Sequence, residues 1–183
     1  MTTVAPGILL ISDPFLKDPN FMRSVVLLCE HRQEGSLGFV LNRLPGYSLA
    51  DLILNAEGIS LPVYDGGPVQ KDSLHFIHRC PNKITGGVEL IDGIFWGGDF
   101  EEVLSLARKN ELHQKDIRLF LGYSGWAEGQ LDTELQEKSW ITRNANASLV
   151  FNPDIQQTWT KSLKDLGGEY TQMTNYPIDP QLN

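Results

Sequence analysis

Apolar positions along this chain fall into short runs punctuated by glycine, proline and polar clusters, and each run carries its own period. GILLIS, residues 7–12, predicts a strand. The following DPFLKDPNF is broken by Pro14 and Pro19 and predicts loop or short turns. SVVLLCEH, residues 24–31, is an apolar run nearly without interruption, the pattern of a strand covered on both faces. SLGFVLN, residues 36–42, predicts its neighbour, joined through the polar RQEG turn as a hairpin.

The period then changes. In SLADLILNAEG, Leu49, Leu52 and Ile53 recur at helical spacing, Ser48 is placed to cap the start and Gly58 to end it. DGGPV, residues 65–69, predicts a turn or bulge, and residues 73–79 a strand. VELIDGIFWGG predicts a hairpin around Asp92-Gly93, because Asp-Gly suits a two-residue turn with both residues at positive φ. Asp99 starts a helix that runs to about Asn110, with Glu102 at the capping-box position. Residues 117–123 predict a strand that leads into a glycine-rich turn, residues 129–138 a helix, and WITRNA an extended segment. The last helix is signalled by Asn152 as cap, Pro153 at the first helical position and Gly167 beyond the end, with Ile155, Trp159 and Leu163 on its buried face. The tail from Tyr170 is rich in proline and polar residues and predicts a segment that wraps the surface or frays. With strands and helices intermixed and two hairpins, the fold class is mixed α/β with a mixed sheet, in one domain over 1–183.

Composition sharpens this picture. The chain has 183 residues, 41% of them hydrophobic and 21% charged, so a core forms without a disulfide or a metal. Net charge is −8 and the lysines and arginines are scattered, which disfavours autonomous binding to nucleic acid. Cys29 and Cys80 form no C-x-x-C pair, and Cys29 lies in a strand run as a small buried hydrophobe. MTTVAPGILL lacks the basic start and cleavage pattern of a signal peptide, and no apolar stretch nears the roughly 18 residues of a membrane span. A cytoplasmic protein with no membrane association is the expectation. Asn146-Ala147-Ser148 matches a glycosylation sequon, which has no meaning without secretion.

Candidate chemistry begins with Gly122-Tyr123-Ser124-Gly125-Trp126. A nucleophile elbow needs a small residue two after the serine and a histidine later in the chain. Here that position is Trp126, and His31, His75, His78 and His113 all precede Ser124. The surrounding glycines offer an anion cradle or, more simply, a tight turn that packs Trp126. Glu128, Asp132 and Glu134 suit the following helix and repel phosphate. His75 and His78, three apart on a strand, face opposite sides and cannot share a metal. Arg23, Ser24, Glu30 and His31 bracket the buried strand, where clefts often open, though adjacent Glu30 and His31 face different sides. Asn42 ends the next strand, and Gly66-Gly67-Pro68 is a bare backbone segment that suits either a ligand or a sheet corner.

Taken together these positions resemble one family. Pro14, Asp18, Phe21, Arg23-Ser24-Val25-Val26-Leu27-Leu28 and Glu30-His31 match the N-terminal signature of the YqgE/AlgH family. Gly35, Gly38, Leu41-Asn42, the Gly66-Gly67-Pro68-Val69 turn and Gly97-Gly98-Asp99 follow in order and at family spacing. So do Gly122-Tyr123, Gly125-Trp126, Gly129-Gln130-Leu131 with Glu134, the Trp140 strand, and the Phe151, Trp159, Leu163 and Gly167 ending. The resemblance implies an α+β fold whose bifurcated mixed sheet includes a small closed β-barrel, surrounded by helices. The family takes its name from a genetic link to alginate regulation, and its members carry a transcriptional-regulator label. It supplies no established reaction, cofactor or catalytic residue. The label fits poorly here, since no helix-turn-helix with a basic recognition helix can be read.

The sequence therefore favours a cytoplasmic binding or regulatory module without catalysis, cofactor or metal. It would act on a small molecule or a protein partner through Arg23, Ser24, Glu30, His31, Asn42, Gly66, Gly67, Gly122, Ser124, Gly125, Trp126 and Gln130. The alternatives are a hydrolase or nucleotide-acting enzyme using Ser24, Glu30, His31 or Ser124, and a DNA-binding transcriptional regulator.

Overall fold

The computed structural model describes residues 3–178. Its elements in chain order are β1 (Ile8–Ser12), β2 (Val25–Arg32), β3 (Gly35–Val40), α1 (Leu49–Leu52), a 3-10 turn at Leu54–Ala56, β4 (Val63–Asp65), β5 (Val69–His78), β6 (Val88–Ile91) and β7 (Ile94–Trp96). Then come α2 (Phe100–Arg108), β8 (Ile117–Ala127), α3 (Gln130–Gln136), β9 (Trp140–Asn144), α4 (Ala147–Val150), α5 (Ile155–Lys164) and α6 (Glu169–Met173). Among these residues, no helix is long and apolar enough to cross a membrane.

The strands form one sheet in the order β6-β7-β5-β8-β3-β2-β1-β9, with β4 added beside β8. All pairings are antiparallel except β4 with β8. The sheet bifurcates at β8. On one side β8 keeps β5; on the other it meets β4 over Leu119–Leu121 and β3 over Ser124–Ala127. The expected closed barrel is corrected: β6 and β9 are free ends of an open path, and the sheet curls into a half-barrel flanked by helices. Curling brings β6 close to the start of β1, where a Cβ on Gly7 would lie 2.8 Å from both Leu90 O and Ile91 Cβ. The Leu90 carbonyl and the Ile91 side chain lie against Gly7 there, with no ladder between β6 and β1.

The uninterrupted apolar runs of β1 and β2 are explained by what lies on each side. Leu9, Ile11, Val25, Leu27 and Cys29 pack with Trp159 and Leu163 of α5, whereas Ile8, Leu10, Val26 and Leu28 pack with Trp126, Leu131 and Trp140 on the α3 side. Period-two alternation thus serves two cores, and Ile8–Ile11 and Val25–Cys29 are apolar because neither face of these stretches meets water. A third cluster joins β4, β5 and the start of β8 to α1 and α2 through Val63, Phe76, Leu119, Val103 and Leu104.

Local signals hold at several points. Asp92 and Gly93 sit at φ 44° and 78°, the pair of positive values the Asp-Gly hairpin requires. Asp99 accepts from the N–H groups of Glu101 (2.9 Å) and Glu102 (3.3 Å) and caps α2. Glu102 does not complete a capping box; its carboxylate accepts instead from Thr85 N–H at 2.7 Å and Thr85 Oγ1 at 3.1 Å. The 48–58 helix is cut short, with α1 ending at Leu52 and a 3-10 turn following. The last helix starts later than Pro153, capped at Asp154, because Asn152 spends its side chain on the Asp154 N–H at 3.1 Å. The sequon residue Asn146 caps the short α4 by accepting from Leu149 N–H at 3.0 Å.

Candidate functional site

The glycines of the sequence motifs meet at the bifurcation of β8. A Cβ on Gly66 would lie 2.4 Å from Gly122 O, and one on Gly67 would lie 2.4 Å from Tyr123 carbonyl atoms. Gly122 has φ +67° and sits 2.7 Å from Gly67 O by the same measure. Two backbones cross here with no room for side chains, which only glycine permits. Ser124 seals the crossing. It lies inside β8, not on a strand-to-helix turn, is fully buried, and its Oγ donates to Gly66 O at 3.1 Å. The turn predicted after residue 123 is corrected: β8 runs to Ala127, held by β3 across Gly35–Gly38.

The second assembly is the tip of the β2–β3 hairpin. A two-residue turn, Gln33-Glu34, places His31 opposite Ser36, with His31 Nδ1 and Ser36 Oγ 2.8 Å apart. A cleft of about 380 Å³ opens beside them, lined also by Arg32, Gln33, Glu128 and Asp132. A shallower depression of about 580 Å³ is lined by Glu30, Leu37, Tyr123, Gly125 and Trp126. Glu30 pairs with Arg32 at 2.9 Å and does not reach into the His31 cleft. The opposed faces of neighbouring strand residues are as the sequence implies.

Trp126 and Gln130 belong to the support of this cleft. Gln130 Oε1 accepts from Ala127 N–H at 3.0 Å, and its Nε2 donates to Glu134 Oε1 at 2.9 Å. Glu134 Oε2 in turn accepts from two buried indoles, Trp126 Nε1 at 2.8 Å and Trp140 Nε1 at 2.7 Å. In the sequence Glu134 counted only as an acid suited to the helix dipole and as a position of the family pattern. It is the anchor that fixes α3 to β8 and β9.

Arg23, Ser24 and Asn42 lie apart from that cleft, where β2 begins. Ser24 is fully buried; its Oγ donates to Phe21 O at 2.7 Å and its N–H to Ser12 Oγ at 3.0 Å. Asn42 accepts from Val25 N–H at 3.0 Å and donates to Arg23 O at 2.9 Å, holding Arg23 at φ 53°. The Arg23 guanidinium lies over the Trp159 ring at 4.1 Å and donates to Tyr176 O. Burial lowers its pKa from the ordinary arginine value. The tail is thus tied down as far as Tyr176, which also stacks on Phe15, while residues 179–183 of the predicted tail lie outside the described residues.

Other titratable groups serve the fold. His75 Nε2 contacts Ser73 Oγ at 3.1 Å, while His78 contacts Gly97 O at 3.0 Å through Nε2 and accepts from Cys80 N–H at 3.1 Å through Nδ1. The two rings do not converge, and no cluster of three metal-ligating side chains exists among the described residues. Burial raises the Cys29 thiol well above its ordinary range. Arg118 is 2% exposed and has no carboxylate partner among the described residues; it donates to Leu41 O at 3.1 Å and Asn152 O at 2.9 Å and lies 4.3 Å from the Tyr64 ring. Arg32, Gln33, Ser36, Glu128 and Asp132 are cleft residues outside the set of candidates read from the sequence. A two-residue turn centred on Gln33-Glu34 in RQEG sets residue 36 opposite 31, so Ser36 was within reach of the hairpin register.

Comparison with known proteins follows the same architecture. The AlgH-like family model matches residues 9–171. A UPF0301 protein of Chlorobium limicola is 42% identical over 178 residues, 97% of this chain and 95% of its own. A UPF0301 protein of Cytophaga hutchinsonii is 41% identical over 178 residues, covering 97% and 98%. The crystal structure of a Corynebacterium diphtheriae protein superposes with a TM-score of 0.77 at 23% identity over 96% of this chain and 94% of that one, a likeness of fold. The solution structure of the AlgH protein from Pseudomonas aeruginosa gives 0.73 at 26% identity, covering 97% and 98%. With a match that runs from β1 into α6, the chain belongs to the AlgH-like family.

Proposed function

We propose that the protein is a cytoplasmic binding and regulatory module that acts without catalysis, through a small molecule seated at the hairpin tip or a protein partner that reads that site. The observation that carries this reading is the cleft of about 380 Å³ beside His31 and Ser36, a volume within the roughly 300–1,000 Å³ range of small-ligand sites. Its mixed lining sets the acids Glu128 and Asp132 against one Arg32, beside Leu131 and Ala127, which suits a small polar ligand bearing donors or a positive charge. The serines that sequence reading weighed as nucleophiles are fully buried and engaged with carbonyls. The test is a thermal-shift screen against amines, amino acids, sugars and nucleosides, with Ser36→Ala alongside. A ligand that raises the wild-type melting point and leaves Ser36→Ala unmoved supports the site; equal shifts in both remove it.

One observation favours a second reading as a hydrolase. His31 and Ser36 stand at 2.8 Å, the separation of a base and the nucleophile it activates. That reading requires turnover of an activated ester or a nucleotide, reduced by about 10² or more in His31→Ala and Ser36→Ala alike. Unchanged rates in either variant remove it.

A further inference from the structure

A small cavity of about 130 Å³ borders the Gly66-Gly67 crossing and shares no residue with the His31 cleft. Asn20, Arg43, Asp65, Gly67 and Lys71 supply its polar lining. In a chain of net charge −8, two cations and one acid thus line one small space.

Each cation is delivered by its own piece of backbone. Arg43 follows β3, and its Nη2 donates to Met22 O at 3.1 Å, which fixes the guanidinium against the 19–22 loop. Its Nε is buried without a hydrogen-bond partner, and none of the ion pairs among the described residues includes Arg43. A cation held by a neutral carbonyl, with no carboxylate at ion-pair distance, keeps an unneutralised charge beside the cavity.

Lys71 comes from a bulge. Between Val69, paired with Tyr123, and Leu74, paired with Leu121, β5 throws out residues 70–73 against Gly122 alone. Gln70 takes φ 44° there, and Ser73 Oγ donates to Gln70 O at 2.7 Å and closes the bulge. Bulges of this kind re-aim side chains next to binding sites. Here Lys71 Nζ is brought to Asp65 Oδ2 at 3.1 Å, while Asp65 Oδ1 accepts from Gly67 N–H at 3.1 Å. Both carboxylate oxygens are thus engaged, and an ammonium with three donors has two left for a ligand.

We propose that this cavity binds a phosphate group, free or as the end of a small metabolite, between Arg43 and Lys71. The volume holds roughly four waters and lies well below the roughly 300 Å³ at which sites for whole small molecules begin. It takes one tetrahedral oxyanion and leaves any organic remainder outside. A phosphate monoester carries about −1.5 to −2 charge at pH 7, which matches two cations better than the single charge of a carboxylate. Asp65 opposes the anion and sets the affinity. This inference stands apart from the ligand reading of the His31 cleft.

Isothermal titration of the full chain at low salt, with inorganic phosphate, phenyl phosphate and acetate as probes, tests it. Saturable one-to-one binding of at least one phosphate is expected, and none of acetate; the tighter phosphate tells whether the group is free or carried. Lys71→Ala should weaken binding about tenfold, the weight of one hydrogen bond to a charged group. Asp65→Asn keeps the acceptor for Gly67 N–H and should tighten it. Lys164→Ala, on the last turn of α5, removes the same charge outside the cavity lining and should leave binding unchanged. Arg43→Gln should abolish binding; if that variant fails to fold for want of the Met22 contact, Lys71→Ala and Asp65→Asn decide. No saturation by either phosphate up to tens of millimolar overturns the proposal. So does acetate that binds as well as phosphate, or an equal loss in Lys71→Ala and Lys164→Ala, or an affinity unchanged in both Lys71→Ala and Asp65→Asn.

Discussion

Removing Glu134 is the perturbation whose cost follows most directly from the structure. One carboxylate oxygen takes both indole N–H groups, at 2.8 and 2.7 Å, and the tryptophans that supply them are only 4% and 5% exposed. Hydrogen bonds to a charged group contribute about 1.5–3 kcal/mol each, and an orphaned buried donor costs about 1–3 kcal/mol. Glu134 itself is only partly buried, so water enters its place and the lower end of each range applies. Glu134→Ala should therefore lose roughly 3 kcal/mol, or about 6–12 °C in Tm for a domain of this size. Glu134→Gln keeps a neutral acceptor and should lose roughly half as much, since a charged acceptor bonds about twice as strongly. Urea unfolding followed by tryptophan fluorescence reads both variants. A Glu134→Ala protein within about 0.5 kcal/mol of wild type, the range of ordinary surface substitutions, would refute the claim that this carboxylate anchors α3.

Further expectations concern the backbone crossing, the buried histidine and the buried serine. Gly67→Ala should cost at least about 3 kcal/mol, since its Cβ would lie 2.4 Å from Tyr123 backbone atoms, whereas Gly129→Ala, at φ +70° in open space, should cost about 1 kcal/mol; equal losses in denaturant titrations would contradict the crowding. Burial holds the His78 pKa below its ordinary 6.5, opposed by the bond to Gly97 O, and protonation of Nδ1 would displace the Cys80 N–H. The unfolded chain thus takes up the proton first, so stability is full above about pH 6.5 and falls as pH drops below it; His75 is shifted the same way by burial. Urea midpoints between about pH 7.5 and 5 should fall on acidification and flatten in His78→Asn; an unchanged slope in that variant would contradict this. Ser124→Ala should cost about 1 kcal/mol and leave ligand binding intact, and binding lost from a folded variant would show that Ser124 does more than seal the sheet.

What was legible in the sequence was whatever local chemistry determines. The apolar runs of β1 and β2, the Asp92-Gly93 hairpin, the Asp99 cap and the opposed directions of His75 and His78 follow from period and turn geometry alone. The bifurcation also followed from the family resemblance, but barrel closure did not hold, because closure depends on whether β6 finds a ladder partner, and it lies against Gly7 without one. Ser124 looked like a turn residue since glycines at 122 and 125 usually end a strand; here they let β8 pass another backbone and continue. The scattered candidate set could not be resolved into groups, as that requires knowing which strands are neighbours. Arg23, Ser24 and Asn42 fasten the start of β2 and the tail, Gly66, Gly67, Gly122 and Ser124 make the crossing, and of the twelve only His31 lines the smaller cleft. Ser36 and Glu134 were hidden for opposite reasons: one is a cross-strand partner, the other a charge whose hydrogen-bond donors lie on β8 and β9.

We propose that the cleft at the hairpin tip binds a ligand and does not transform it. Ligand-observed NMR on a mixture of polar metabolites, recorded over hours with wild type and with His31→Ala, reads both halves at once. Wild type is expected to broaden the signals of at least one component, His31→Ala to abolish the broadening, and every spectrum to be otherwise unchanged at the end. Conversion of any component by wild type, slowed about 10²-fold or more in His31→Ala, would contradict it and make the His31–Ser36 pair catalytic.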